Sequence, residues 1–85
     1  MDAGKLIYPV QCKGARSMLG LSQEDLAAAV GVSDRTIHGF EKRRGEINRP
    51  TRIAIRQVLE ARGACFVESG DQVGVLITIP QAVEG

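Results

Sequence analysis

The chain has 85 residues, room for one domain with a small core. Hydrophobic residues make up 44% and charged residues 25%, ordinary for a globular domain, and Tyr8, Phe40 and Phe66 are its only aromatics, which excludes a stacking platform for single strands. The formal net charge of +1 hides an asymmetry: residues 35–62 hold eight bases against three acids, a net +5, and the rest of the chain nets −4.

The N-terminus, Met1-Asp2-Ala3-Gly4-Lys5, lacks the basic-then-apolar pattern of a signal peptide, and no apolar run approaches the roughly 18 residues of a membrane span. A cytoplasmic protein with no membrane partner is expected. Residues 10–19 repeat Cys12, Ala15 and Leu19 at helical spacing, with Val10 and Met18 beside them. Pro9 suits the start of this helix and Gly20 its stop. Ser22 caps a second helix with Glu24 and Asp25 in its first turn; Leu26, Ala27 and Val30 face inward and Gly31 ends it. Ser33 caps a third, from Asp34 to about Arg43, which buries Ile37 and Phe40 before Gly45 breaks it. Residues 46–50 form a loop, and Pro50 takes the first position of a fourth helix ending at Gly63, with Ala54, Ile55, Val58 and Leu59 as its apolar stripe and Ile53 at the margin.

After Gly63 the period changes. Residues 64–68 and 72–79 are rich in β-branched and apolar side chains, with Ser69-Gly70-Asp71 as a turn signal between them. They read as a β-hairpin closed by Pro80. The expected organisation is a helical domain over 1–63, the hairpin over 64–80 and a tail over 81–85.

The chemistry such a chain can carry is limited. Cys12 and Cys65 have no metal-ligand spacing and read as two small buried hydrophobes. His38 is the only histidine, so no metal site, cofactor or catalytic relay is expected, and no enzyme. The basic half is the electrostatic footprint of a polyanion partner, although a solvated helical face carries the same signature. A short helix, a glycine, two residues and a second capped helix at about 22–43 make the spacing of a helix-turn-helix. Ala27 is small where the third helix crosses, Gly31 admits a positive φ, and Val32, Ile37 and Phe40 pin the two helices so that the second can enter a groove. A plain helical hairpin has the same spacing.

The run MLGLSQEDLAAAVGVSDRTIHGFEKRRGEINRP resembles the lambda-repressor/Cro class of helix-turn-helix regulators, the XRE family. Leu21 to Ala27, Gly31-Val32-Ser33, Thr36-Ile37 and Glu41 carry the likeness, which covers roughly residues 10–62. It implies a mainly α fold, a lambda-repressor-like bundle of four to five helices, here with a C-terminal β-hairpin. It also implies a bacterial or phage-encoded transcription regulator, of repressor type, that binds double-stranded DNA as a homodimer on a palindromic operator. The alternative within the same fold is an antitoxin that binds a toxin protein and regulates its own synthesis.

Site roles follow from the same likeness. Gln23, with Ser22 at the same helix start, matches the family's phosphate grip, and free N–H groups there attract anions. Asp34, Arg35 and Thr36 match the base-contacting positions. Arg35 can pair with guanine O6 and N7 or hold a phosphate instead, and Asp34 can accept from cytosine N4 or serve its own helix dipole. His38 and Gly39 lie one turn on toward the same groove; Gly39 marks a close approach, to DNA or to another helix. Arg16 and Glu41 match a structural ion pair that would also turn Arg16 toward a phosphate. Lys42, Arg43, Arg44, Asn48 and Arg49 fall where the family's loop meets the DNA backbone, some of them as solubilising charges only. Phe66, Val73, Val75, Leu76, Ile77 and Ile79 are the dimer candidates, unless the hairpin folds wholly onto its own domain.

Overall fold

The computed structural model describes residues 6–42 and 47–79. Four helices come first: α1 (Pro9–Met18), α2 (Gln23–Val30), α3 (Asp34–Glu41) and α4 (Arg49–Ala61). Strands β1 (Ala64–Ser69) and β2 (Gln72–Ile77) pair antiparallel, with Ala64 opposite Ile77 and Ser69 opposite Gln72. The chain is thus mainly helical, with a terminal hairpin, as expected.

The caps account for where each helix begins. Ser22 Oγ accepts the Asp25 N–H at 2.9 Å, and Asp25 returns a bond to the Ser22 N–H at 3.0 Å. The bond from the Ser22 N–H, with the Ser22 hydroxyl next, holds the Asp25 carboxyl below its ordinary value. Ser33 Oγ accepts the Thr36 N–H at 3.2 Å. Asn48 Oδ1 accepts the Thr51 N–H at 2.8 Å, so α4 starts at Arg49 and Pro50 takes its second position, not its first. Between α2 and α3, Gly31 adopts φ +93°, a left-handed turn that costs glycine nothing. Its N–H and that of Val32 both return to the Ala27 carbonyl, at 2.8 and 3.0 Å.

One core joins all six elements. Ile7, Cys12, Ala15, Leu26, Ile37, Ile55 and Leu59 are fully buried, with Ala27, Phe40 and Ala64 nearly so. Phe66, Val75 and Ile77 pack against that core from the inner face of the hairpin. Alternation along the strands turns Cys65, Val67 and Leu76 outward.

Several details depart from the sequence reading. The third helix ends at Glu41, with Lys42 as its C-cap, while Arg43, Arg44, Gly45 and Glu46 lie outside the described residues. Val10 and Met18 are exposed, because the inward stripe of α1 runs through Gln11, Cys12 and Ala15. Cys65 is exposed rather than buried, since it stands on the outward face of β1 opposite Leu76. β2 stops at Ile77: the Thr78 N–H turns to the Gly63 carbonyl at 2.8 Å, and Ile79 is 79% exposed beyond the strand it was expected to extend. The hairpin loop is two residues, Gly70-Asp71, with Gly70 at φ +61° as the tight hairpin turns require. Pro80 and the tail lie outside the described residues.

Gln11 fastens the hairpin to α1. It is 3% exposed, and its Nε2 donates to the Gly74 carbonyl at 2.8 Å and the Val67 carbonyl at 3.3 Å. Its Oε1 accepts the Tyr8 N–H at 2.9 Å, so one side chain caps α1 and fixes the middle of the hairpin. Gln11→Ala is expected to lower stability by about 2 kcal/mol, from three lost hydrogen bonds of modest net value each. Urea unfolding checks the size, and hydrogen exchange should show β1 and β2 opening ahead of α2 and α3.

Candidate nucleic-acid interface

Helices α2 and α3 present one continuous surface. Gln23, first residue of α2, lines an open concavity of about 330 Å³ together with Asp34, Arg35 and His38 of α3. Asp34, Arg35 and His38 are exposed, and Gln23 is half-buried. Asp34 and His38 are four residues apart, so they share a helix face one turn apart, with Arg35 next to Asp34. The concavity therefore offers an acceptor, a forked cation and two groups able to donate or accept, which is the vocabulary of base edges in a major groove.

Thr36 is tied back: its hydroxyl lies 3.0 Å from Ser33 Oγ, part of the α3 cap. Gly39 is half-buried in the middle of α3. Lys42, Asn48 and Arg49 are exposed, and the Asn48 side chain is committed to the α4 cap through its oxygen. The Ser22 hydroxyl is likewise an acceptor in the α2 cap.

Arg16 turns inward. Its Nε donates to Glu41 Oε2 at 2.9 Å and its Nη2 to Glu41 Oε1 at 3.0 Å, a two-pronged pair between α1 and the last residue of α3. Its Nη1 donates to the Leu21 carbonyl at 3.0 Å. The Arg16 side chain is 15% exposed and that of Glu41 only 2%. Gln23 Nε2 donates to Glu41 Oε1 at 3.0 Å, and the Cys12 thiol to Oε2 at 3.3 Å. Burial alone would raise the Glu41 pKa, but the bonds from Arg16, Gln23 and Cys12 and the Arg16 charge outweigh it and hold the carboxyl below its ordinary value. The same bond to Glu41 raises that of Arg16. Among the described residues no buried side-chain polar atom lacks a partner.

The basic stretch is less available than its charge count suggests. Arg52 Nε donates to the Ile7 carbonyl at 2.9 Å with its guanidinium 5.1 Å above the Phe40 ring. Arg56 pairs with Glu60 at 2.8 Å and lies 5.5 Å over Phe66. Both hold the fold together by stacking and pairing. Sequence reasoning counted them as charge and missed Cys12 as a fourth donor on Glu41; its place one turn before Arg16 on the same face was the available signal.

Among the described residues no group of three or more His, Cys, Asp or Glu side chains could hold a metal ion. None of the described helices is long and apolar enough to cross a membrane. No curated protein matches the chain. A family model described as helix-turn-helix matches residues 13–62, from the second turn of α1 to one residue past the end of α4. That stretch is more than half of the chain and contains both helices of the turn, the Gly31 corner and the ion pair that locks them to α1. The chain belongs to this helix-turn-helix family of DNA-binding transcription regulators, the class of lambda repressor and Cro.

Proposed function

We propose that the chain is a sequence-specific repressor of phage type, binding a palindromic double-stranded operator as a homodimer. The observation that carries this reading is the shared concavity of Gln23, Asp34, Arg35 and His38, which sets reading groups of α3 beside the N-terminus of α2. In this reading Arg35 pairs with a guanine edge, Asp34 and His38 contact neighbouring bases, and Gln23 grips a phosphate on the helix N-terminus. Lys42, Arg43, Arg44 and Arg49 follow the backbone beyond α3, and each phosphate neutralised adds about 0.9 to the salt slope. Of the hairpin's dimer candidates Phe66, Val75 and Ile77 are spent on the chain's own core, and the exposed Leu76, with Val67 and Cys65 on the same outward face, serves the dimer.

Selection of bound duplexes from a random pool, repeated with Arg35→Ala, tests the assignment. Loss of a two-pronged base contact should cost about 1–3 kcal/mol and relax preference at one operator position. An equal loss on every sequence moves Arg35 to the backbone, and a wild-type chain that enriches no sequence sinks the reading. The second reading, an antitoxin, shares every DNA contact named above and uses the same outward hairpin face for a toxin protein. A toxin gene beside this one, with a stable complex between the two products, would decide for it.

A further inference from the structure

None of the DNA contacts proposed above uses the Cys12 thiol, although it is fully buried against the last residue of α3. A carboxylate has about four lone-pair sites on its two oxygens. On Glu41 four donors occupy them: Arg16 Nε and Cys12 Sγ on Oε2, Arg16 Nη2 and Gln23 Nε2 on Oε1. At 2% exposure, solvent has little room to replace a missing donor. We propose that Cys12 is a positioning residue for Gln23: its thiol closes the last acceptor site on Glu41 and so holds the carboxylate where it fixes the Gln23 carboxamide. The proposal rests on the reading of Gln23 as a phosphate contact.

The two carboxylate oxygens turn together, because the group is planar. A bond on Oε2 therefore resists any rotation that would carry Oε1 away from Gln23. A thiol is a weak donor, but a charged acceptor in a low-dielectric setting strengthens the bond. Burial, with the neighbouring Glu41 charge, pushes the thiol well above its ordinary value, so it keeps its proton and remains a donor. With one Gln23 N–H committed inward to Glu41, the second N–H of the same amide is left for a phosphate oxygen at the start of α2.

The test uses the full chain and a random-sequence duplex at low salt, where phosphate contacts dominate binding. Cys12→Ala should weaken binding about threefold to fivefold, and Cys12→Ser, which still donates, should stay within about twofold of wild type. In a Gln23→Ala background the Cys12→Ala change should cost less than about 1.5-fold, because the coupled partner is gone. Equal costs in the two backgrounds, or Cys12→Ser as damaging as Cys12→Ala, overturn the proposal and leave Cys12 as core packing. If Cys12→Ala does not fold, Cys12→Val fills the space without donating and takes its place. A second readout needs no DNA: the Gln23 side-chain amide protons should be protected from exchange in wild type and Cys12→Ser and lose that protection in Cys12→Ala. Unchanged protection overturns the proposal, whereas a wild type that binds no duplex overturns only the reading of the DNA contact.

Discussion

Glu41→Gln is expected to cost about 3–5 kcal/mol at neutral pH, the range for removing one partner of a buried ion pair. The replacement keeps the shape but swaps an acceptor oxygen for an amino group, which must face either Arg16 Nη2 and Gln23 or Arg16 Nε and Cys12. Either way two donors meet a third, and the Arg16 charge, only 15% exposed, loses its counter-charge. For a domain of this size the melting temperature should fall by more than about 10 °C. The effect has a pH signature. The Glu41 carboxyl sits below its ordinary value in the folded protein, so its stabilisation is complete above the unfolded value of about 4.3 and is lost as pH falls through the folded value. Stability curves of wild type and Glu41→Gln should lie far apart at pH 7 and draw together as pH falls below the unfolded value and on through the folded one. A loss under about 1 kcal/mol at pH 7, the size of an exposed pair, would refute the buried-pair account.

Ile37→Ala is the second large effect, at about 2–5 kcal/mol, with Ile37→Val costing about 0.5–1.5 kcal/mol as the graded control. Helix α3 has eight residues, too short to stand alone in water, and two buried side chains, Ile37 and Phe40, hold it on the core. Truncating Ile37 opens a cavity beneath the helix that carries Arg35. DNA affinity should then fall for every sequence alike, with the order of preferred sites unchanged, in contrast to Arg35→Ala. Chemical unfolding gives the stability term, and competition between duplexes gives the preference. A changed preference with intact stability would mean that Ile37 shapes the reading surface directly.

The helix-turn-helix was legible in the sequence because its determinants are close neighbours in the chain. Ser22 and Ser33 cap through bonds three residues long, and the Gly31 corner answers to Ala27 four residues back. The hairpin was legible for the same reason, since its strands meet across two residues. What the sequence hid depends on partners far away. Gln11 looks like a polar break in an apolar stripe until Val67 and Gly74 are brought over it. Cys65 looks like a core residue until the strand alternation is fixed by Ala64 and Phe66 facing inward. Arg52 and Arg56 read as surface charge, although the Ile7 carbonyl, Glu60 and the rings of Phe40 and Phe66 engage them. Pro50 reads as the first residue of its helix until the Asn48 cap sets it second.

The clamp made by Gln11 also sets an order of events during synthesis. Its two carbonyl partners lie 56 and 63 residues downstream, so α1 leaves the ribosome long before they exist. Until then the Gln11 amide is served by water, and the segment that will cover it is still being added. Helices α2 and α3 meet each other within residues 22–41, across a loop short and cheap to close, while the core beneath them also draws on α1 and α4. The contacts between α2 and α3 can therefore close early on the nascent chain, while the seal between α1 and the hairpin waits until residue 74 has emerged.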